Sequence, residues 1–167
     1  IFDDYFEDAT LRLDYIFAGN SKKQNIYLEG MKKQEIWAGR KSRLAEKFLN
    51  GNGQVTVKDH SSQEVIYVTT FSTLFQEWLL QEEANKVDKA FETSYNIPFP
   101  KKDIDVTITL TDNHQDVIAE MTHTVSPEDI LIRKIGANGI PFHYIWKGQQ
   151  TPQEAQQIDN QEPRNGK

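Results

Sequence analysis

The chain is predicted to be mainly β, an antiparallel β-sandwich of jelly-roll-like form with one short helix. Three observations predict this. Apolar residues recur at every second position through most of the chain, polar turn clusters separate these runs, and no strand–helix–strand alternation appears. A period of two puts successive side chains on opposite faces of a strand, so each run can turn one apolar face to a shared core.

The elements follow in order. Leu11, Leu13, Tyr15 and Phe17 alternate with Arg12 and Asp14, which predicts a first strand. A short second strand runs from Asn25 to Glu29 and carries Ile26 and Leu28. Gly51-Asn52-Gly53 is a turn signal, because Gly and Asn tolerate positive φ. Val55 and Val57 follow it. The polar loop from Asp59 to Gln63 then leads to Val65, Tyr67 and Thr69, and the whole predicts a hairpin. From Thr73 to about Lys86 the spacing of Phe75, Trp78, Leu79 and Glu82 approaches 3.6. Thr73 and Gln76 fit a capping box, so one helix is predicted here. A second, weaker helix pattern covers Ser42 to Leu49. Phe91 to Ile97 is extended. Ile104, Val106, Ile108 and Leu110 form the cleanest strand. The polar turn from Asp112 to Asp116 should join it to Val117, Ala119, Met121 and Val125 as a second hairpin. Further extended stretches run from Ile130 to Ile135 and from Ile140 to Trp146. The domain is expected to span 1–148. Beyond it, 149–167 is rich in Gln, Asn, Glu and Pro and has one large aliphatic residue, Ile158, as expected of a polar linker or C-terminal tail.

Composition narrows the function. A chain of 167 residues and 19.3 kDa suits one domain with a tail. The net charge of -6 disfavours a general nucleic-acid binder, whose affinity rests largely on cationic contacts to phosphate. No apolar run reaches the ~18 residues of a membrane-spanning helix. The absence of Cys excludes disulfides, thiolate metal sites and a cysteine nucleophile. The chain opens Ile1-Phe2-Asp3-Asp4, which reads as a processed product or a piece of a longer protein.

No constellation for catalysis emerges, and no catalytic residue, metal ligand or cofactor is assigned. His60, His114, His123 and His143 are scattered, and none lies four residues from another, so H-E-x-x-H is missing. No G-x-S-x-G occurs. Asp3, Asp4, Glu7 and Asp8 offer oxygen ligands of the kind calcium takes but lack the loop pattern that would hold it. The aromatic residues carry the remaining signal. Trp37 stands beside Arg40 in a stretch of poor periodicity, and Trp146 lies near the end of the domain. Trp37, Arg40 and Trp146 are the candidate partner contacts. The opposing reading makes Trp37 the closure of one end of the core.

Several longer segments also carry a likeness. They are Phe2 to Phe6 leading into Leu11 to Asn20, Trp37-Ala38-Gly39-Arg40, Gly51 to Val57, Phe71 to Trp78, and Asp129 to Arg133. In this order they resemble the non-catalytic N-terminal domain of the IgA-peptidase-type bacterial zinc metallopeptidases, over about Phe2 to Trp146. The resemblance implies a β-sandwich ahead of a peptidase domain, in a secreted or cell-envelope protein. It implies a role in docking or positioning that domain, or in binding an extracellular protein or glycan. The family's zinc ligands belong to the second domain and match no position here, so no peptidase activity is expected of this chain. A carbohydrate-binding module is the alternative, since sandwiches also present aromatics to sugar rings.

Overall fold

The computed structural model describes residues 1–47 and 51–134. Within them the order is α1 (Phe2–Tyr5), β1 (Phe6–Gly19), β2 (Gln24–Glu35), β3 (Gly53–Asp59), β4 (Val65–Phe71), α2 (Leu74–Trp78), a 3-10 turn (Glu82–Asn85), β5 (Lys89–Pro100), β6 (Ile104–Thr111), β7 (Val117–Val125) and β8 (Ile132–Lys134). The strands form two four-stranded sheets, β5-β1-β2-β8 (sheet A) and β4-β3-β6-β7 (sheet B). Their apolar faces meet in one core, which is the predicted sandwich. The Ile140 to Trp146 stretch and the polar tail lie outside the described residues.

β1 is the central strand of sheet A, paired antiparallel to β2 on one side and β5 on the other. Its inward residues Leu11, Leu13, Tyr15 and Phe17 are fully buried. β5 is an edge strand, and Pro98 and Pro100 are tolerated there because one side of an edge needs no backbone donor. β2 is longer than its pattern suggests. The register slips between Asp14 and Tyr15, so that Tyr15 faces Leu28 while Asp14 faces Gly30. Glu29 is the extra residue of a bulge. Inward positions are therefore even before it (Ile26, Leu28) and odd after it (Met31), and a reading by strict alternation stops at Glu29. β8 pairs parallel to β2, the one parallel pairing in the described sheets.

Sheet B matches its sequence pattern more closely. β6 buries Ile104, Val106, Ile108 and Leu110 and turns Asp105, Thr107 and Thr109 outward. Both expected hairpins are present, β3 with β4 and β6 with β7. Gly51 and Gly53 serve a purpose other than the one expected, for neither has positive φ. A Cβ on Gly53 would stand 2.1 Å from the Phe71 ring across the pair. Gly53 thus makes room for an aromatic ring to lie over the backbone.

The helix is shorter than predicted, five residues followed by the separate 3-10 turn. Thr73 caps it by accepting from the Gln76 backbone N–H at 3.0 Å. Gln76 does not reach back as a capping box requires. Its Nε2 donates instead to the carbonyls of Asn52 and, at 2.8 Å, Thr111. Those carbonyls flank sheet B at the ends of β3 and β6, so the buried amide ties α2 to the sheet. The Ser42 to Leu49 helix does not form over 42–47, where the chain makes a turn and Arg43 takes φ 53. Its last residues lie outside the described set.

The core has an aliphatic middle and an aromatic cluster at each end. At one end Phe2, Phe6, Tyr67 and Trp37 touch in sequence, with centroids 5.6, 6.5 and 5.9 Å apart. At the other, Phe17, Phe71, Tyr95, Phe75, Trp78 and Phe91 form a continuous group, which includes a stacked Phe71–Tyr95 pair at 4.1 Å. Aromatic side chains bury the most surface each, and such pairs add ~0.5–1.5 kcal/mol beyond area. Between the ends lies one buried polar contact, Tyr15 Oη to His123 Nε2 at 2.6 Å. His123 Nδ1 makes no hydrogen bond among the described residues.

Burial pushes the His123 pKa down to about 4. The unfolded chain takes up this proton near pH 6.5, before the folded one does, so stability is lost as pH falls through that window. Between pH 7 and pH 4.5 this group should remove roughly 2.5 kcal/mol, since each pH unit separating the two titrations is worth about 1.36 kcal/mol. Urea unfolding of wild type and His123→Gln at both pH values checks it: the variant should lack that part of the acid loss. Equal loss in both proteins would contradict the assignment.

Candidate functional site

The segment after β2 is built around Trp37. Ile36 has φ 68, a left-handed conformation that a β-branched residue resists. Two bonds hold it there. Thr10 Oγ1 donates to the Ile36 carbonyl at 2.7 Å, and the Trp37 backbone N–H donates to Asp8 Oδ1 at 3.0 Å. That N–H is also the main reason the Asp8 pKa is lowered. The reversal sends the indole inward, where it is 7% exposed, and leaves Ile36 outside at 67%.

Arg40 is brought to Trp37, and the pair locks the segment onto sheet B. Trp37 Nε1 donates to the Arg40 carbonyl at 2.8 Å. The Arg40 guanidinium lies 5.0 Å from the Tyr67 ring centre and donates to the carbonyls of Val68 and, at 3.0 Å, Leu44. A Cβ on Gly39 would sit 2.2 Å from the indole, so the glycine lets the ring lie flat against the backbone. The Trp37-Ala38-Gly39-Arg40 motif thereby acquires a structural meaning: ring, bare backbone over the ring, and the carbonyl that takes the ring's N–H. The Trp37 ring is a core surface here, and Ile36, which sequence reasoning passed over, is the exposed apolar side chain. Positive φ at an isoleucine leaves no signature in sequence. Trp146 lies outside the described residues.

A second cluster joins the β3–β4 loop to β6 and β7. His60 Nδ1 is 2.8 Å from Asp105 Oδ1, and Asp105 also accepts from Gln63 Nε2 and Thr124 Oγ1, each at 2.8 Å. These bonds, Gln63 first, hold Asp105 down to about 2, and Asp105 in turn raises His60. A His–Asp pair beside serines invites comparison with a triad. Here Ser61 Oγ donates to Asp59 Oδ2 at 2.8 Å, which engages it away from the imidazole. The loop is closed by these bonds, and Ser61 is not aligned with the imidazole for attack. His114 sits in the β6–β7 turn, where Asp112 Oδ1 accepts two backbone N–H groups. His143 lies outside the described residues. Among the described residues no group of three His, Asp or Glu side chains is placed to hold a metal ion.

The third feature is the outer face of sheet A. Register places Arg12, Lys32 and Arg133 in one row across β1, β2 and β8. Asp14 lies in the next row. It accepts from Arg12 Nε at 2.8 Å and Ser94 Oγ at 2.6 Å, and stands 3.8 Å from Lys32 Nζ. Beyond it come bare Gly30, then Ile16 facing the half-exposed Tyr27. The sequence shows these residues only as polar positions of separate strands. Their convergence requires the bulge at Glu29, which brings Lys32 to the outside.

A sandwich with tied loops, an exposed strained isoleucine and a charged sheet face defines the class as a mainly β, two-sheet domain. Residues 1–122 match the family model described as Peptidase M64 N-terminus, and the chain belongs to that family. The match confirms the expected family and ends before the Asp129 to Arg133 segment of the resemblance. No curated protein matches the chain.

Two substitutions test the lock. Gly39→Ala should lower stability by ~1–3 kcal/mol through overpacking against the indole. Ile36→Asn should raise it by ~0.5–1 kcal/mol, since Asn tolerates the left-handed region. Denaturant midpoints read both. A neutral Gly39→Ala would show that the ring does not rest on residue 39.

Proposed function

We propose that this chain is a non-catalytic accessory domain that docks or positions a peptidase domain, in a protein secreted or attached to the bacterial cell envelope. The observation that carries the reading is the family match to an N-terminal domain over 1–122. The geometry supports it. The His60–Asp105 pair closes a loop, and Ile36 and Tyr27 are exposed apolar or aromatic side chains. Ile36 is the favoured contact residue. It is apolar, exposed and held in a costly conformation, a combination that concentrates at functional sites. Arg40 and Trp37 then act by holding Ile36 in place.

A second reading is favoured by one observation. Tyr27 is 50% exposed on a flat sheet face, where an aromatic ring can stack on a sugar. A glycan array distinguishes it: binding lost in Tyr27→Ala would support a carbohydrate-binding module.

The direct test mixes the purified chain with the peptidase domain of a protein of this family. Calorimetry should give a saturable complex with Kd on the order of micromolar or tighter. Ile36→Ser should weaken it at least about fivefold with little change in melting temperature, and the chain alone should hydrolyse no peptide with or without added zinc. Hydrolysis by the isolated chain, or no complex at any concentration, would overturn the proposal.

A further inference from the structure

We propose that the cavity between α2 and the β6–β7 turn takes an arginine side chain of a partner polypeptide. The cavity holds about 280 Å³. It lies at the far end of the sandwich from Ile36. Ile36 follows β2 where Glu35 faces Ala9, whereas Phe75 of α2 packs on Phe17, well along β1. At ~3.3 Å per residue the two places are roughly 26 Å apart. The cavity is thus separate from the contact proposed above for a peptidase domain, and its test is independent of that one.

The walls are fixed. Gln76 is buried, and its Nε2 donates to the carbonyls of Asn52 and Thr111, so α2 is pinned over the ends of β3 and β6. Gln76 Oε1 accepts from Thr73 Oγ1 at 3.0 Å, which engages the other end of the amide. The opposite wall is the β6–β7 turn. There Asp112 Oδ1 accepts the backbone N–H groups of His114 and Asp116 at 2.8 and 3.0 Å. A cavity held from both sides needs little ordering when it is filled, which lowers the cost of binding.

The lining matches a long cationic side chain. Leu79, Ile118 and Leu80, the last 72% exposed, give an aliphatic stem an apolar wall. Glu77 and Asp112 supply negative charge. Nearby Glu82 and Glu83 are paired with Lys86 and Lys89, but the Glu77 carboxylate makes no hydrogen bond or ion pair among the described residues. The backbone N–H groups of Asp116 and His114 hold the Asp112 pKa below its ordinary value, and both bonds fall on one oxygen. No Lys or Arg lines the cavity, and His114 is the one base in its wall, against two carboxylates. Asn52 lines it too, and its Oδ1 is buried with no hydrogen-bond partner among the described residues. A buried acceptor left unpaired is costly, and an entering donor would remove that cost. Arginine suits the site better than lysine, because its planar fork can donate to a carboxylate and an amide oxygen together. An anionic ligand would meet Glu77 and Asp112 with like charge.

The test is chemical-shift mapping of the whole 167-residue chain with the peptide Gly-Gly-Arg-Gly-Gly, blocked at both ends, and with its Lys and Glu counterparts, at about 50 mM salt. The arginine peptide should move the amides of 76–80 and 111–118 and saturate with Kd on the order of 1 mM. Glu77→Gln should weaken it at least about threefold with no change in melting temperature, since this exposed side chain bonds to no other described group. Glu92→Gln on β5, of equal charge change, and Ile36→Ser should each alter it less than about 1.5-fold. The wild-type map decides even where a variant fails to fold. Shifts that map elsewhere or do not saturate, equal loss in Glu77→Gln and Glu92→Gln, or equal binding of the lysine or glutamate peptide would overturn the inference. Such a failure would leave the accessory role standing, because that role is read from a peptidase-domain complex sensitive to Ile36→Ser.

Discussion

The structure depends on the burial of one strand. β1 is hydrogen-bonded on both edges and presents Leu11, Leu13, Tyr15 and Phe17 to sheet B with no solvent exposure. Complete burial of an aliphatic or aromatic side chain contributes ~1.5–3 kcal/mol, several times a surface ion pair. The rest is arranged around this strand. Phe17 reaches the aromatic cluster beneath α2, Tyr15 meets His123 across the core, and outward Arg12 and Asp14 set the charge pattern of the exposed face. A change that slipped β1 by one residue would exchange its two faces and remove both the core and the charged row.

Much of this was legible in the sequence wherever alternation is unbroken. β6 and the inward face of β1 follow strict period two, and both hairpins have polar loops between matched runs. Legibility fails where the backbone departs from regularity. The bulge at Glu29 hides half of β2, because after it the same period points the other way. The 42–47 stretch carries helical spacing, yet Arg40 bonds to the Leu44 carbonyl and the Val68 N–H donates to that same carbonyl at 2.8 Å, so tertiary contacts hold it as a turn. The double glycine around Asn52 takes no positive φ and gives clearance for Phe71, which no sequence pattern announces.

The candidate surfaces divide along the same line. Trp37 and Arg40 are conspicuous in sequence, and they are neighbours in space, but their contacts are made inward. The strained backbone at Ile36 is held from β1 by Thr10 and Asp8. The cation row escapes sequence reading altogether, since its members are separated by up to 121 positions and meet only through register. Residues 1–122 place the chain in the Peptidase M64 N-terminus family. Its strongest exposed signals are geometric, in the placement of ordinary residues.

The burial of β1 is most directly tested by amide hydrogen exchange under native conditions. Amides from Leu11 to Phe17 should exchange only through global unfolding, with opening free energies equal to the stability from denaturant, while the 36–47 segment and the 112–116 turn open locally at lower cost. Faster exchange in β1 than in β3 and β6 would mean that sheet B folds without it, and the central place given to this strand would be wrong.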